Sequence, residues 1–241
     1  MQRAILYFLL FLGLFTISVQ AALVNGPMVS HVDMREAKIW IQTDAPSLVR
    51  IAYSAAGDPD SLYWTTPVET NRSQAYTAVV TLDKVEPGLG YSYRVELNGE
   101  IVTSPASFTS PANSHDRTPP PDFKIAVGGA HYVIEEGFEP PYQILGDGYS
   151  IFSAITETQP NLMIWAGNTA HLRKSDWTTQ SGYLKRYAMA RSIPDLQPLL
   201  QSIPHYATSG GQDFGAPNGG MNSAYREIAE SSFKCYWPRP V

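Results

Sequence analysis

The sequence predicts two units in series, a β-sandwich over residues 23–109 and an α/β unit over residues 122–241. Three observations carry this. Residues 23–109 hold short stretches of alternating apolar and polar residues, the period-2 signature of half-buried strands. Residues 110–121 open on Ser110-Pro111 and close on Thr118-Pro119-Pro120-Pro121, a composition that favours extended polyproline and blocks helix and central strand, so they read as a semi-rigid linker. Beyond them, apolar strand-like runs alternate with helix-period segments.

The alternation is clear in Ala37-Lys38-Ile39-Trp40-Ile41-Gln42-Thr43 and in Val49-Arg50-Ile51-Ala52-Tyr53. Residues 75–82 and 91–97, rich in Val, Thr and Tyr, supply two more strands. Asn98-Gly99 is a two-residue hairpin turn, because both of its central positions need positive φ. The run Val85-Glu86-Pro87-Gly88-Leu89-Gly90-Tyr91 resembles the loop entering strand F of fibronectin type III domains, where a tyrosine hydroxyl bonds back to the loop backbone. Tyr91 is therefore expected to staple a corner, and the sandwich to position its neighbour.

In the second unit, residues 123–127 read as a strand ending at Gly128-Gly129. Ile151, Phe152 and Ile155 sit at helical spacing before Pro160. Leu162-Met163-Ile164-Trp165-Ala166 is a continuous apolar run, as expected of a strand covered on both faces. Residues 183–191 and 195–200 read as helices, the second opened by Pro194. His205-Tyr206-Ala207-Thr208 returns to the sheet, and residues 223–236 form a last helix. Ligand sites of open α/β sheets lie past the carboxyl ends of the strands. That places the candidate site in the loops after Val127, Ala166 and Thr208.

Composition limits the partners. The chain has 241 residues, 44% hydrophobic, and a formal net charge of −5. That is ample apolar content for buried cores and no basic footprint for nucleic acid or anionic membranes. Arg3 precedes an apolar run over residues 4–19, and Val19-Gln20-Ala21 offers small residues to a signal peptidase. Residues 1–21 thus read as a cleaved signal peptide, shorter than the ~20 apolar residues a span needs. The mature chain is expected in the periplasm or outside the cell, with no membrane attachment after cleavage. Cys235 is alone, so no intrachain disulfide is expected, and it reads as a small buried hydrophobe.

Several segments carry a family resemblance: Gly26-Pro27-Met28, Met34-Arg35-Glu36, Asp176-Trp177, Ser181-Gly182-Tyr183-Leu184-Lys185-Arg186-Tyr187, Arg191-Ser192, Pro194, Leu196-Gln197-Pro198-Leu199-Leu200 and His205-Tyr206-Ala207-Thr208. In order and spacing they resemble the PhoD-like alkaline phosphatases, a branch of the calcineurin-like metallophosphoesterases. The likeness implies a hydrolase with two divalent cations that clamp a phosphate and activate water. Members usually carry Gly-Asp-Asn where this chain has Gly167-Asn168-Thr169. They carry Trp-Asp-Asp-His-Asp where it has Ser209-Gly210-Gly211-Gln212-Asp213, and Gly-Ser-Cys where it has Gly128-Gly129-Ala130.

Each replacement removes something a binuclear centre requires. Two dications ~3.5 Å apart repel by roughly 19 kcal/mol at an effective dielectric of ~20, which a bridging carboxylate offsets. Asn168 keeps the shape of a carboxylate without its charge. Gly211 offers no side chain, and Gln212 cannot give a proton to a leaving group. Only Asp213 matches its motif position. The family also draws late histidines into its site, whereas the five here (His31, His115, His131, His171 and His205) stop at position 205. The resemblance therefore implies a partial metallophosphoesterase domain with its C-terminal part absent, an unpaired edge strand and an exposed apolar face. The α/β unit is then expected to fold less securely than the sandwich.

No catalytic residue, cofactor or bound metal is expected. His131, His171, Asp176 and Asp213 are the residues that would have to assemble any replacement metal site. Glu135-Glu136 and Asp147 read as a solvated acidic rim, and Arg173, Lys174, Lys185, Arg186 and Arg191 as a solvated helical face. Asn71-Arg72-Ser73 reads as a chance glycosylation sequon, and Ser209-Gly210-Gly211-Gln212 lacks the lysine of a phosphate-binding loop. The leading expectation is an exported, catalytically inactive family member. The alternatives are a phosphomonoesterase or phosphodiesterase using atypical ligands or completed by another chain, and a secreted non-enzymatic binding module. A phosphoester or a protein is the expected partner class.

Overall fold

The computed structural model describes residues 21–114, 119–135, 137–138, 148–215 and 222–238. Residues 1–20 of the expected signal peptide, His115, Glu136 and Asp147 lie outside the described residues.

Nine strands make up the first part: β1 (Leu23–Val32), β2 (Ala37–Thr43), β3 (Leu48–Ala55), β4 (Asp58–Trp64), β5 (Val68–Glu69), β6 (Thr77–Leu82), β7 (Gly90–Leu97), β8 (Glu100–Ile101) and β9 (Ala106–Thr109). One antiparallel sheet runs β1-β2-β6 and the other β4-β3-β7-β8, with β5 on β3 and β9 on β7. Their inner faces share one core, Ile39, Ile41, Val80 and Leu82 meeting Ile51, Tyr53, Tyr93, Val95 and Phe108. The Asn98-Gly99 turn joins β7 to β8, with φ of 51° and 94° and Leu97 opposite Glu100, the geometry its sequence requires.

β1, β4 and β9 were not legible as strands. In β1 the Gly26-Pro27 pair falls where the register with β2 shifts, and such breakers mask a strand in sequence. The strand expected from residue 75 starts at Thr77. Ala75 and Tyr76 both have left-handed φ, 55° and 54°. They close a 3₁₀ turn whose first main-chain donor, Gln74 N–H, is accepted by the Asn71 side chain. The corner tyrosine behaves as expected: Glu86 N–H donates to the Tyr91 hydroxyl at 2.7 Å. Tyr91→Phe should cost about 1 kcal/mol, read as a lower urea midpoint, and an unchanged midpoint would remove the corner's structural role.

The second part places β10 (Ile125–Gly128), β11 (Leu162–Ala166) and β12 (His205–Thr208) in a parallel sheet of order β10-β11-β12. Helices α1 (Ser150–Glu157), α2 (Gln180–Arg191), α3 (Gln197–Ser202) and α4 (Arg226–Tyr236) accompany it, and a 3₁₀ turn from Pro194 leads into α3. Among the described residues β11 is not fully buried on both faces. Met163 and Trp165 are buried while Leu162 and Ile164 are half-buried, so among the described residues its two faces are unequally covered. On the edge strand β10 and just before it, the outward row Phe123, Ile125 and Val127 is 65, 45 and 66% exposed.

The linker does not hold the two parts at a distance. Ser110, its first residue, is buried and donates to Glu86 O at 2.6 Å, and Gly88 N–H donates to Pro111 O at 3.0 Å. The parts then share a second core, with Met28 and Trp40 from the β1-β2-β6 sheet packed among Trp165, Leu199, Leu200 and Tyr236. Trp40 Nε1–H donates to Cys235 O at 2.7 Å, Gln42 Nε2–H to the Tyr236 hydroxyl at 2.8 Å, and the Tyr93 hydroxyl to Gln201 O at 2.9 Å. Cys235 is half-buried and free. Trp40 and Gln42 lie on the face of β2 opposite Ile39 and Ile41, and they are buried because the α/β part docks on them.

Candidate functional site

Because β10, β11 and β12 run parallel, the three candidate loops emerge at one end of the sheet. There they fill the space between one another. Ala130 N–H donates to Gly167 O at 3.2 Å, and His131 N–H to Asn168 O at 3.1 Å. A Cβ on Gly167 would stand 3.0 Å from Gly210 Cα, and one on Gly210 would overlap the Asn168 side-chain oxygen. Glycine at both positions lets the second and third loops touch main chain to main chain.

The Asn168 side-chain oxygen and both Asp213 carboxylate oxygens are taken by the protein itself. Asn168 has a left-handed φ of 53°, and its Oδ1 accepts Gln212 N–H at 2.9 Å. Asp213 is 1% exposed. Its Oδ1 accepts from Ala170 N–H at 3.0 Å, the Thr169 hydroxyl at 3.1 Å and the Tyr187 hydroxyl at 3.1 Å. Its Oδ2 accepts from Gly210 N–H at 2.7 Å and Thr169 N–H at 3.3 Å. Five donors saturate a carboxylate's lone pairs, so Asp213 ties the second loop to the third. Burial, then the Asp213 charge, raises the Tyr187 pKa well above its ordinary value, so this phenol stays a donor.

The other residues predicted for a metal site do not join it. His131 packs edge-on to Phe152, ring centres 5.1 Å apart, and 5.9 Å from Trp165. Its Nε2 is buried without a partner among the described residues. Burial, then the Arg191 charge, lowers its pKa to about 4. His171 lies against Tyr132 at 4.9 Å, with its pKa lowered by burial and then by Arg186. Asp176 is buried, with Oδ2 accepting from Arg186 Nε at 2.6 Å and Arg173 N–H at 2.9 Å. Among the described residues, His131, His171, Asp176 and Asp213 form no common cluster of metal-ligating atoms; the cluster that does form is His31, Asp33 and Glu36. Its sequence signal, three ligand types spaced two and three apart across a hairpin, was there to be read.

Two expectations about surface charge are corrected. Glu135 is not a solvated rim residue: it pairs with Lys185 at 2.6 Å, Arg186 at 2.9 Å and Arg173 at 3.1 Å. The Lys185 hydrogen bond is the first cause of its lowered pKa. Arg186 and Arg191 are buried, not on a solvated face. Arg191 stacks over the Trp237 ring at 3.6 Å and lies 5.7 Å from Trp40, and donates to Tyr236 O at 2.8 Å. Desolvation lowers its pKa to about 9. Arg186 and Arg191 of α2 thus organise the interior.

His205, on β12, is fully defined by its neighbours. Trp165 Nε1–H donates to its Nδ1 at 3.0 Å. An indole only donates, so the proton sits on Nε2 and goes to Leu199 O at 3.0 Å. Burial holds its pKa at about 3. A groove of about 520 Å³ runs between the end of β12 and α4, lined by Thr208, Phe214, Phe233, Lys234 and Trp237.

A family model described only as a domain of unknown function (DUF7800) matches residues 20–115. No curated protein matches the chain in sequence. Among solved structures, PhoD matches with a TM-score of 0.69 and 13% identity, over 92% of this chain and 46% of that one. The sensor domain of an anti-sigma factor from Pseudobacteroides cellulosolvens matches with a TM-score of 0.32 and 14% identity, over 40% of this chain and 99% of that one, a level that carries no argument. The fold is PhoD-like, mostly β-sheet with a few helices, and the chain spans just under half the length of that neighbour. Among the described residues no helix is long and apolar enough to cross a membrane.

Proposed function

We propose that this chain is an exported member of the PhoD-like alkaline phosphatase family, a fibronectin type III-like sandwich followed by part of a metallophosphoesterase domain, and that it does not hydrolyse phosphoesters. The observation that carries the reading is the occupancy of the three loops by one another. Asn168 Oδ1 is taken by Gln212 N–H, both Asp213 oxygens are taken by five protein donors, and position 211 has no side chain. The donor set does not fit the family's pair of divalent cations: one saturated carboxylate cannot offset their repulsion. No catalytic step through such ions is derived for this chain.

The test is metal content of the exported chain, with Ala22 as its expected first residue, together with hydrolysis of p-nitrophenyl phosphate and bis(p-nitrophenyl) phosphate. The expected result is turnover at background, unchanged by chelator. About two equivalents of metal with turnover abolished by chelation would overturn the reading and favour a hydrolase with atypical ligands. A second reading, a secreted non-enzymatic binding module, draws support from the exposed apolar row Phe123, Ile125 and Val127.

A further inference from the structure

The hairpin between β1 and β2 brings together three ligand types. His31 lies near the end of β1, and Asp33 and Glu36 stand in the turn. One ligand atom from each lies within 4.8 Å of the other two. Two of the three are held in place by groups other than the three ligand atoms. The Asp33 Oδ1 accepts Arg35 and Glu36 N–H at 2.6 and 2.8 Å, which leaves Oδ2 facing His31 Nε2 at 4.0 Å. The His31 ring is held from behind by β12, its Nδ1 lying 2.9 Å from the Tyr206 hydroxyl.

The Tyr206 hydroxyl can accept Nδ1–H across that 2.9 Å, and the tautomer that results has a bare Nε2. Metal-bound imidazoles regularly carry such a partner on the other nitrogen, which fixes ring and tautomer. A cation already occupies the trio's edge: the Lys38 ammonium stands 3.2 Å from Glu36 Oε1.

We propose that His31 Nε2, Asp33 Oδ2 and a Glu36 carboxylate oxygen form a site for one divalent transition cation of the Zn²⁺ class. Water would complete the shell and Lys38 would give up Glu36. One imidazole nitrogen with two carboxylate oxygens suits Zn²⁺, whereas Mg²⁺ and Ca²⁺ take all-oxygen shells. Bonds of ~2.1 Å in a tetrahedron set ligand atoms roughly 3.4 Å apart. The 4.0 Å between His31 and Asp33 closes to that by side-chain rotation. Through Tyr206 the ion would fasten the hairpin of the two-sheet part to the edge of the α/β sheet. The site is independent of the three loops and of the proposed loss of hydrolysis.

The test is calorimetric titration of Zn²⁺ into the whole chain, with Co²⁺ absorption reporting coordination. Wild type should bind one equivalent. His31→Asn keeps a polar atom near the Tyr206 hydroxyl but removes Nε2, and should weaken binding by roughly tenfold or more, as Tyr206→Phe should. Lys38→Met removes the competing ammonium and should tighten it, a gain that general unfolding would not produce. Melting in chelator identifies a variant that fails to fold, in which case Glu36→Gln takes its place and should show the same loss. Absence of saturable one-to-one binding, or equal binding by wild type and His31→Asn, would overturn the proposal.

Discussion

Lowering the pH from about 8 to about 5 will remove about 4 kcal/mol from the stability of the chelator-treated protein, roughly 2 kcal/mol from each of two buried histidines. In the folded chain the pKa of His205 is held at about 3 and that of His131 at about 4, both by burial first. In the unfolded chain each returns to about 6.5. Above that value both states are neutral and nothing is lost. Below it the unfolded state takes up protons that the folded state refuses, so stability falls as the pH falls. Carboxylates do not produce this window: Asp33 and Glu135 have lowered pKa values, so their contribution disappears only at more acid pH. Half-buried His31 and His171 are shifted in the same direction and add less. The measurement is a series of urea titrations across the range, and a flat profile would show that neither imidazole is sealed from water. His131→Phe, which puts an apolar ring among Phe152, Tyr149 and Trp165, should remove about half of the slope.

Asp213→Asn should destabilise the metal-free chain by about 3 kcal/mol. The amide keeps the shape but turns a donor toward donors. Gly210 N–H at 2.7 Å and Ala170 N–H at 3.0 Å sit on different oxygens, so either amide orientation leaves a buried N–H facing another. The loss should begin in the loops, with faster amide exchange at Thr169 and Ala170 before the sheet opens. The same variant separates structure from chemistry. A residue serving only as a metal ligand would leave the stability of the metal-free chain unchanged, so a difference below about 1 kcal/mol would return Asp213 to a ligand role.

Much of the fold was legible residue by residue. The period-2 runs of β2, β3 and β7, the Asn98-Gly99 turn and the Tyr91 corner are local, each set by side-chain alternation or by the φ a turn demands. The Gly26-Pro27 stretch of β1 was hidden because its pairing comes from β2, not from its own propensities. The site was legible in one sense: the loops of Gly129, Asn168 and Gly210 were named, along with the charges they lack. Periodicity could not show that these loops close on each other, because a glycine reads as flexibility until another main chain lies against it. Charge was read least well. Arg186 and Arg191 resemble solvated helix residues in sequence, yet one is buried beside Asp176 and Glu135 and the other between Trp40 and Trp237.

By itself the sequence determined the strands β2, β3, β6 and β7, the alternation of strands and helices after them, the end of the sheet where the three candidate loops lie, and the shortage of metal ligands in those loops. These follow from local periodicity, from chain direction in a parallel sheet, and from which side chains carry charge. Only the tertiary structure decided which outward faces are buried, that Asp213 is held by five donors, and that His31, Asp33 and Glu36 meet in front of Tyr206. The buried faces and the His31–Tyr206 contact depend on docking one part against the other, and the Asp213 contacts on loops of the α/β part meeting; in each case the groups are distant in sequence.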